Sequence, residues 1–63
     1  MNEYPRVKVT GAPGFEDYEG DLILMPEGPD GTTFAVVGSV WDGKPTVEVH
    51  AAKYVEVLDD VAL

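Results

Sequence analysis

Thr33-Phe34-Ala35-Val36-Val37-Gly38-Ser39-Val40-Trp41-Asp42-Gly43, with Thr46-Val47-Glu48-Val49-His50 behind it, spells a strand, a tight turn and a second strand in order. The first run is the longest apolar stretch of the chain. Gly38 within it predicts a bulge, or a sharp bend that lets a small sheet curl. Asp42-Gly43 is a hairpin signal, because a two-residue turn needs residues that tolerate positive φ. Alternation in 46–50 puts Val47 and Val49 on the buried face and His50, beside Glu48, on the surface.

The same punctuation runs outward in both directions, with β-branched runs broken by Gly, Pro and Asp roughly every eight to twelve residues. Arg6-Val7-Lys8-Val9-Thr10 alternates, which buries Val7 and Val9 and exposes Arg6, Lys8 and Thr10. The stretch from Gly11 through Glu19 is too polar and too rich in Gly and Pro for a regular element and reads as a long loop. Asp21-Leu22-Ile23-Leu24-Met25 is apolar on both faces, as expected of a strand covered on both sides, and Pro26 ends it. Glu27-Gly28-Pro29-Asp30-Gly31 is a turn by composition. After His50, a short turn at Ala51-Ala52-Lys53 leads into a last strand around Val55-Glu56-Val57 and an acidic tail, 59–63. Ala51, Tyr54, Leu58 and Val61 also recur at helical spacing, but β-branched residues and the missing N-cap favour the strand. Five strands and a short helical turn predict an all-β small barrel in one domain, with its core in 6–58.

Sixty-three residues bury only ~60% of the surface an unfolded chain exposes, so the core is small. No cysteine is present, so neither a disulfide nor a thiolate metal site supports it. The opening Met1–Pro5 is neither basic nor apolar, and no stretch approaches the ~18 apolar residues of a membrane span. A complete, soluble, cytoplasmic product is expected. Twelve Asp and Glu stand against four Lys and Arg, a net charge of -8. Phosphate neutralisation by cations drives nucleic-acid binding, and only Arg6, Lys8, Lys44 and Lys53 are available. Direct nucleic-acid binding and a membrane are therefore not expected; a protein with a basic or apolar surface is.

From Val7 to Leu58 the chain resembles the Src-homology-3-like small barrels, in particular their KOW-type members. Val7-Lys8-Val9-Thr10-Gly11, a loop, and Tyr18-Glu19-Gly20 before an apolar strand look like the KOW opening. Ala51-Ala52-Lys53-Tyr54-Val55-Glu56-Val57-Leu58 looks like the helical turn and final strand that close Src-homology-3 domains. The resemblance implies a binding module. The chain departs from its RNA-binding members in carrying Glu16, Asp17, Glu19 and Asp21 where basic residues are usual. It departs from the polyproline-binding members in ending its strand with Trp41 and placing Ala51-Ala52 where a Pro is usual, although Tyr18 and Tyr54 sit at corresponding places.

Catalysis finds little support. His50 is the single histidine, Ser39 has no His or acid nearby in sequence, and no Gly-rich loop feeds a helix. The acids of the first loop offer oxygen ligands, but their spacing matches no calcium loop. No enzyme activity, cofactor or metal is expected. Phe34 and Trp41, seven apart, point to opposite faces, so one faces outward; Trp41 either plugs the barrel end or marks an interface with an outward row of Ala35, Val37 and Ser39. The candidate partner-binding residues are Trp41, Tyr18, Tyr54, Glu16, Asp17, Glu19 and Asp21. Three functions follow: an adaptor docking a protein through the Trp41 surface or an open strand edge; a nucleic-acid mimic that presents the loop acids with Asp59 and Asp60 to a basic protein, as small phage-encoded antagonists can; and an accessory subunit of an enzyme. The two-sided strand also supports a homodimer.

Overall fold

The computed structural model describes residues 4–58. Five strands follow one another as β1 (Arg6–Val9), β2 (Tyr18–Leu24), β3 (Phe34–Trp41), β4 (Lys44–Ala51) and β5 (Val55–Val57), with a 3₁₀ turn (Ala52–Tyr54) before the last. All pair antiparallel in one sheet of order β4-β3-β2-β1-β5. The C-terminal segment is thus a turn and a strand as expected; Val61 and the acidic tail 59–63 lie outside the described residues. β4 and β5 are the outer strands, and no ladder among the described residues joins them into a closed barrel. No helix among those residues is long and apolar enough to cross a membrane.

The core sits on one face, here the inner face. Val7, Val9, Ala12, Ala35 and Val37 are buried, and Tyr18, Leu22, Tyr54 and Val55 pack against them. Register explains the grouping: Val9 faces Tyr18, Val7 faces Gly20, and Leu22 faces Val37. Gly20 is required there, because a Cβ would lie 2.5 Å from the Gly38 carbonyl oxygen on the neighbouring strand.

Four expectations are corrected. First, β2 begins at Tyr18 rather than after Gly20, since pairing of 18–21 with β1 supplies ladder bonds that composition does not reveal. Second, the bulge lies across the ladder from Gly38. Leu22 pairs with Val37 and Leu24 with Val36, leaving Ile23 as the extra residue of β2. Gly38 stays in register and makes room for it, with the Ile23 Cδ1 3.0 Å from where a Cβ would be. Third, β2 is not covered on both sides, because the bulge turns Leu24 onto the outer face, where it is exposed along with Met25 beyond it.

The fourth correction concerns the hairpin. Asp42 (φ 52°) and Gly43 (φ 76°) form the expected two-residue turn with both φ positive. That turn pairs Trp41 with Lys44, and therefore Ser39 with Thr46, Val37 with Glu48 and Ala35 with His50. Ala35 and Val37 belong to the core, not to an outward row, so their partners Glu48 and His50 face inward too. His50 is buried at 6% exposure, while Val47 and Val49 face outward. Of the two large aromatics in β3, Trp41 lies on the inner face and Phe34 on the outer.

Candidate functional site

Loop 10–17 returns over the inner face instead of ranging into solvent. Its base is tied by the Thr10 N–H to the Tyr54 carbonyl at 2.9 Å, and its turn by the Phe15 N–H to the Ala12 carbonyl at 3.1 Å. Asp17 accepts a bond from the Gly11 N–H at 3.3 Å. With Ala12 anchored in the core, this turn delivers Phe15 onto His50, ring edge to ring face with centroids 4.8 Å apart.

Tyr18 sits beneath, at the start of β2. Its hydroxyl and His50 Nε2 are hydrogen-bonded at 2.7 Å. With the imidazole neutral and its proton on Nδ1, the phenol donates to Nε2. The same ring meets Trp41 edge to face, centroids 5.0 Å apart. Burial pushes the Tyr18 phenol above its ordinary pKa, and the negative charge of Glu48 pushes it further. Phe15, Tyr18, Trp41 and His50 therefore form one aromatic cluster at the end of the inner face, beyond the aliphatic core. Trp41 is neither a sealed plug nor a free surface ring: it packs on Tyr18 and stays 39% exposed. Beside it opens a cleft of about 300 Å³ lined by Gly14, Phe15, Glu16, Trp41, Thr46 and Glu48.

The outer face differs. Leu24, Val36 and Val49 form a cross-strand row, Val47 lies opposite Gly38, and Val40 lies opposite Pro45. Leu24, Val40, Val47 and Val49 are each 58% to 68% exposed. Ile23, Val40, Pro45 and Val47 surround a depression over Gly38, with Asp21 among its lining residues.

The seven expected partner-binding residues scatter over these surfaces. Trp41 and Glu16 line the cleft, and Tyr18 packs against Trp41 without lining it. Asp17 folds back on its own loop, and Tyr54 packs on the core with the Lys53 ammonium 5.3 Å from its ring centre. Glu19 and Asp21 project from the outer side of β2 to Arg6, at 3.8 Å and 3.0 Å. Both pairs are solvent-exposed and add little stability. The loop acids thus form no single stripe, and among the described residues no group of three or more His, Asp or Glu could hold a metal ion. Sequence reasoning missed Phe15, Glu48 and His50. Phe15 carried a signal, as the single large apolar side chain between Gly11 and Asp17; the other two required the hairpin register. Comparison with known protein families, curated proteins and solved structures finds no match for the chain.

Proposed function

We propose that this chain is a non-enzymatic protein-binding module of Src-homology-3-like, KOW-type character, docking through the outer face of β2, β3 and β4. The observation that carries the reading is the group of Leu24, Val40, Val47 and Val49, all more than half exposed on one face of so small a domain. Contiguous apolar surface of this kind marks interaction sites, whereas scattered exposed residues do not. The face runs to β4, an outer strand with no partner on its far side among the described residues, whose outward backbone groups offer hydrogen bonds to an added strand. The 3₁₀ turn followed directly by a short strand paired to β1 supports the fold assignment.

Charge selects the occupant. A second copy would bring together two chains of net charge -8. A partner with an apolar centre and basic charge would satisfy both the valines and the net negative charge of the chain. Sedimentation of the chain alone should therefore show a monomer. The paired variant Val47→Ser, Val49→Ser should release a basic partner that the parent chain retains through high salt. A dimer of the chain alone would replace this reading with self-association. A partner lost at moderate salt and indifferent to the two valines would replace it with nucleic-acid mimicry.

A further inference from the structure

We propose that the outer edge of β4 takes up an extended segment of a protein partner as an added antiparallel strand, with apolar residues across from Val47 and Val49 and basic residues flanking them. The apolar part of that assignment rests on the outer-face interface proposed above; the strand pairing stands on backbone geometry. The two-residue turn makes Trp41 and Lys44 a hydrogen-bonded pair, and bonded and non-bonded pairs alternate along an antiparallel ladder. Two observations fix the phase. Pro45, which has no N–H, falls opposite Val40 in a non-bonded pair. One step past the Phe34–Ala51 pair, the Ala52 N–H donates to the Thr33 carbonyl at 3.0 Å, as the same alternation requires. Val47, opposite Gly38, and Val49, opposite Val36, are therefore non-bonded, and their N–H and carbonyl groups point away from β3. No turn or loop bond among the described residues takes those groups up.

The same two residues thus offer both outward backbone groups and bare outer-face side chains. The missing donor of Pro45 ends the pairing at one side, and the 3₁₀ turn from Ala52 ends it at the other, which leaves 46–51 as the receiving window. β5, the opposite outer strand, has only three residues and is the poorer template. Antiparallel pairing is the more stable per residue, and it sets one partner residue directly across from each valine with both bonds exchanged. Side chains at those two positions lie on the outer face beside Val47 and Val49, so apolar residues there extend the valine surface. The net charge of -8 then selects basic residues at the flanks.

The test is an NMR titration of the full chain with the capped peptide acetyl-Lys-Val-Thr-Val-Lys-amide. Saturable shifts are expected, with a dissociation constant on the order of millimolar. Solvent exchange should slow at the Val47 and Val49 amides, while those of Glu48 and His50, which face β3, stay as they were. N-methylation of both valines of the peptide removes the donors that face β4 and should weaken binding about tenfold or more. N-methylation of its threonine, whose N–H points away from β4, should leave binding unchanged. Counterparts with Glu for Lys, or with Ser for Val, should each bind severalfold more weakly. Undiminished binding of the valine-methylated peptide would overturn the added strand, and weakening by threonine methylation would overturn its antiparallel register. Slowed exchange at Val55 and Val57 instead would overturn the choice of β4. Equal binding of the Glu peptide would remove the charge argument. The variant Val47→Pro, which repeats at 47 the missing donor of Pro45, separates this proposal from the outer-face reading. Peptide that binds Val47→Pro as it binds the parent, yet is lost from the Val47→Ser, Val49→Ser chain, would sink the strand and leave the apolar face standing. Indifference to that serine pair and to the Ser peptide, with the methylation pattern intact, would sink the apolar face instead.

Discussion

Replacing Gly20 by alanine tests how β2 and β3 are held together. The new Cβ would lie 2.5 Å from the Gly38 carbonyl oxygen and 2.8 Å from Val37 Cγ1. Moving the first contact out to an ordinary 3.4 Å separates the strands locally by about 0.9 Å. A ladder bond stretched that far no longer counts as one. Two such bonds at ~1 kcal/mol each, with ~1–3 kcal/mol of overpacking, make a gross cost of ~3–5 kcal/mol. Restricting the unfolded chain returns ~0.4–1 kcal/mol, leaving a net loss of about 2–4 kcal/mol. A domain of this size has only ~3–5 kcal/mol to lose, so Gly20→Ala should be largely or wholly unstable.

Gly38→Ala is the internal control. Its Cβ meets Ile23 Cδ1 at 3.0 Å, the free end of a side chain that can rotate away. A rotamer adjustment of ~0.5–1.5 kcal/mol is nearly offset by the unfolded-state gain, so the net change should stay within about 1 kcal/mol. Urea unfolding followed by far-UV circular dichroism and Trp41 fluorescence measures both. With a slope of ~1 kcal/mol per molar, the Gly20→Ala midpoint should fall by about 2 M or more. A Gly20→Ala midpoint within about 0.5 M of the parent, or a larger loss for Gly38→Ala, would refute the close approach of the two strands.

Three further predictions concern the inner and outer faces. The Tyr18 pKa is raised on folding, so the folded state holds the phenolic proton more tightly than the unfolded one; stability present below pH ~10 should decline as pH rises from there through the folded-state value. Tyr18→Phe should flatten that alkaline decline in circular dichroism, and an unchanged profile would remove Tyr18 as its source. The Ser39 hydroxyl is buried with no hydrogen-bond partner among the described residues. Ser39→Ala should therefore be neutral or raise stability by up to ~1 kcal/mol in urea, whereas a loss above that would reveal a partner for the hydroxyl. Val49→Thr keeps the β-branch on the outer face and should change stability by less than ~0.5 kcal/mol, while Val37→Ala in the core should cost ~1–3 kcal/mol; the reverse order would invert the hairpin.

The order of strands and turns could be read from the sequence because most are written locally, the opening of β2 at Tyr18 being the exception that its pairing with β1 defines. Runs of β-branched residues end at Pro or Gly, and Asp42-Gly43 names its own turn type. What could not be read locally is which side of β3 faces the core. Phe34, Val36 and Val40 on one side balance Ala35, Val37 and Trp41 on the other, so hydrophobicity alone does not choose. The two-residue turn then ties β4 to that choice. Had Phe34 and Val36 turned inward, Val47 and Val49 would have followed, as the alternation in 46–50 suggests. With Trp41 inward, Glu48 and His50 are carried in instead, and the Tyr18 hydroxyl and the Phe15 ring supply contacts that a lone strand pattern does not show. The same coupling explains why the candidate site was only partly legible. Trp41, Tyr18 and Glu16 can be picked out one by one, but the cleft that Trp41 and Glu16 line above Tyr18 depends on the register of β4 and the path of loop 10–17.

The outer edge of β4, unpaired among the described residues and with two bare valines beside it, also bears on how the protein behaves as a material in solution. An unpaired strand edge is a template on which another copy can grow, and like charge is one means of keeping copies apart. Here that protection comes from an acidic excess that vanishes as pH approaches 4.1. Near that pH, neighbouring chains lose their mutual repulsion while the edge and its valines remain, so concentrated samples should cloud and seed cross-β fibres through β4. Storage well above that point keeps the edge available to a partner and closed to its own kind.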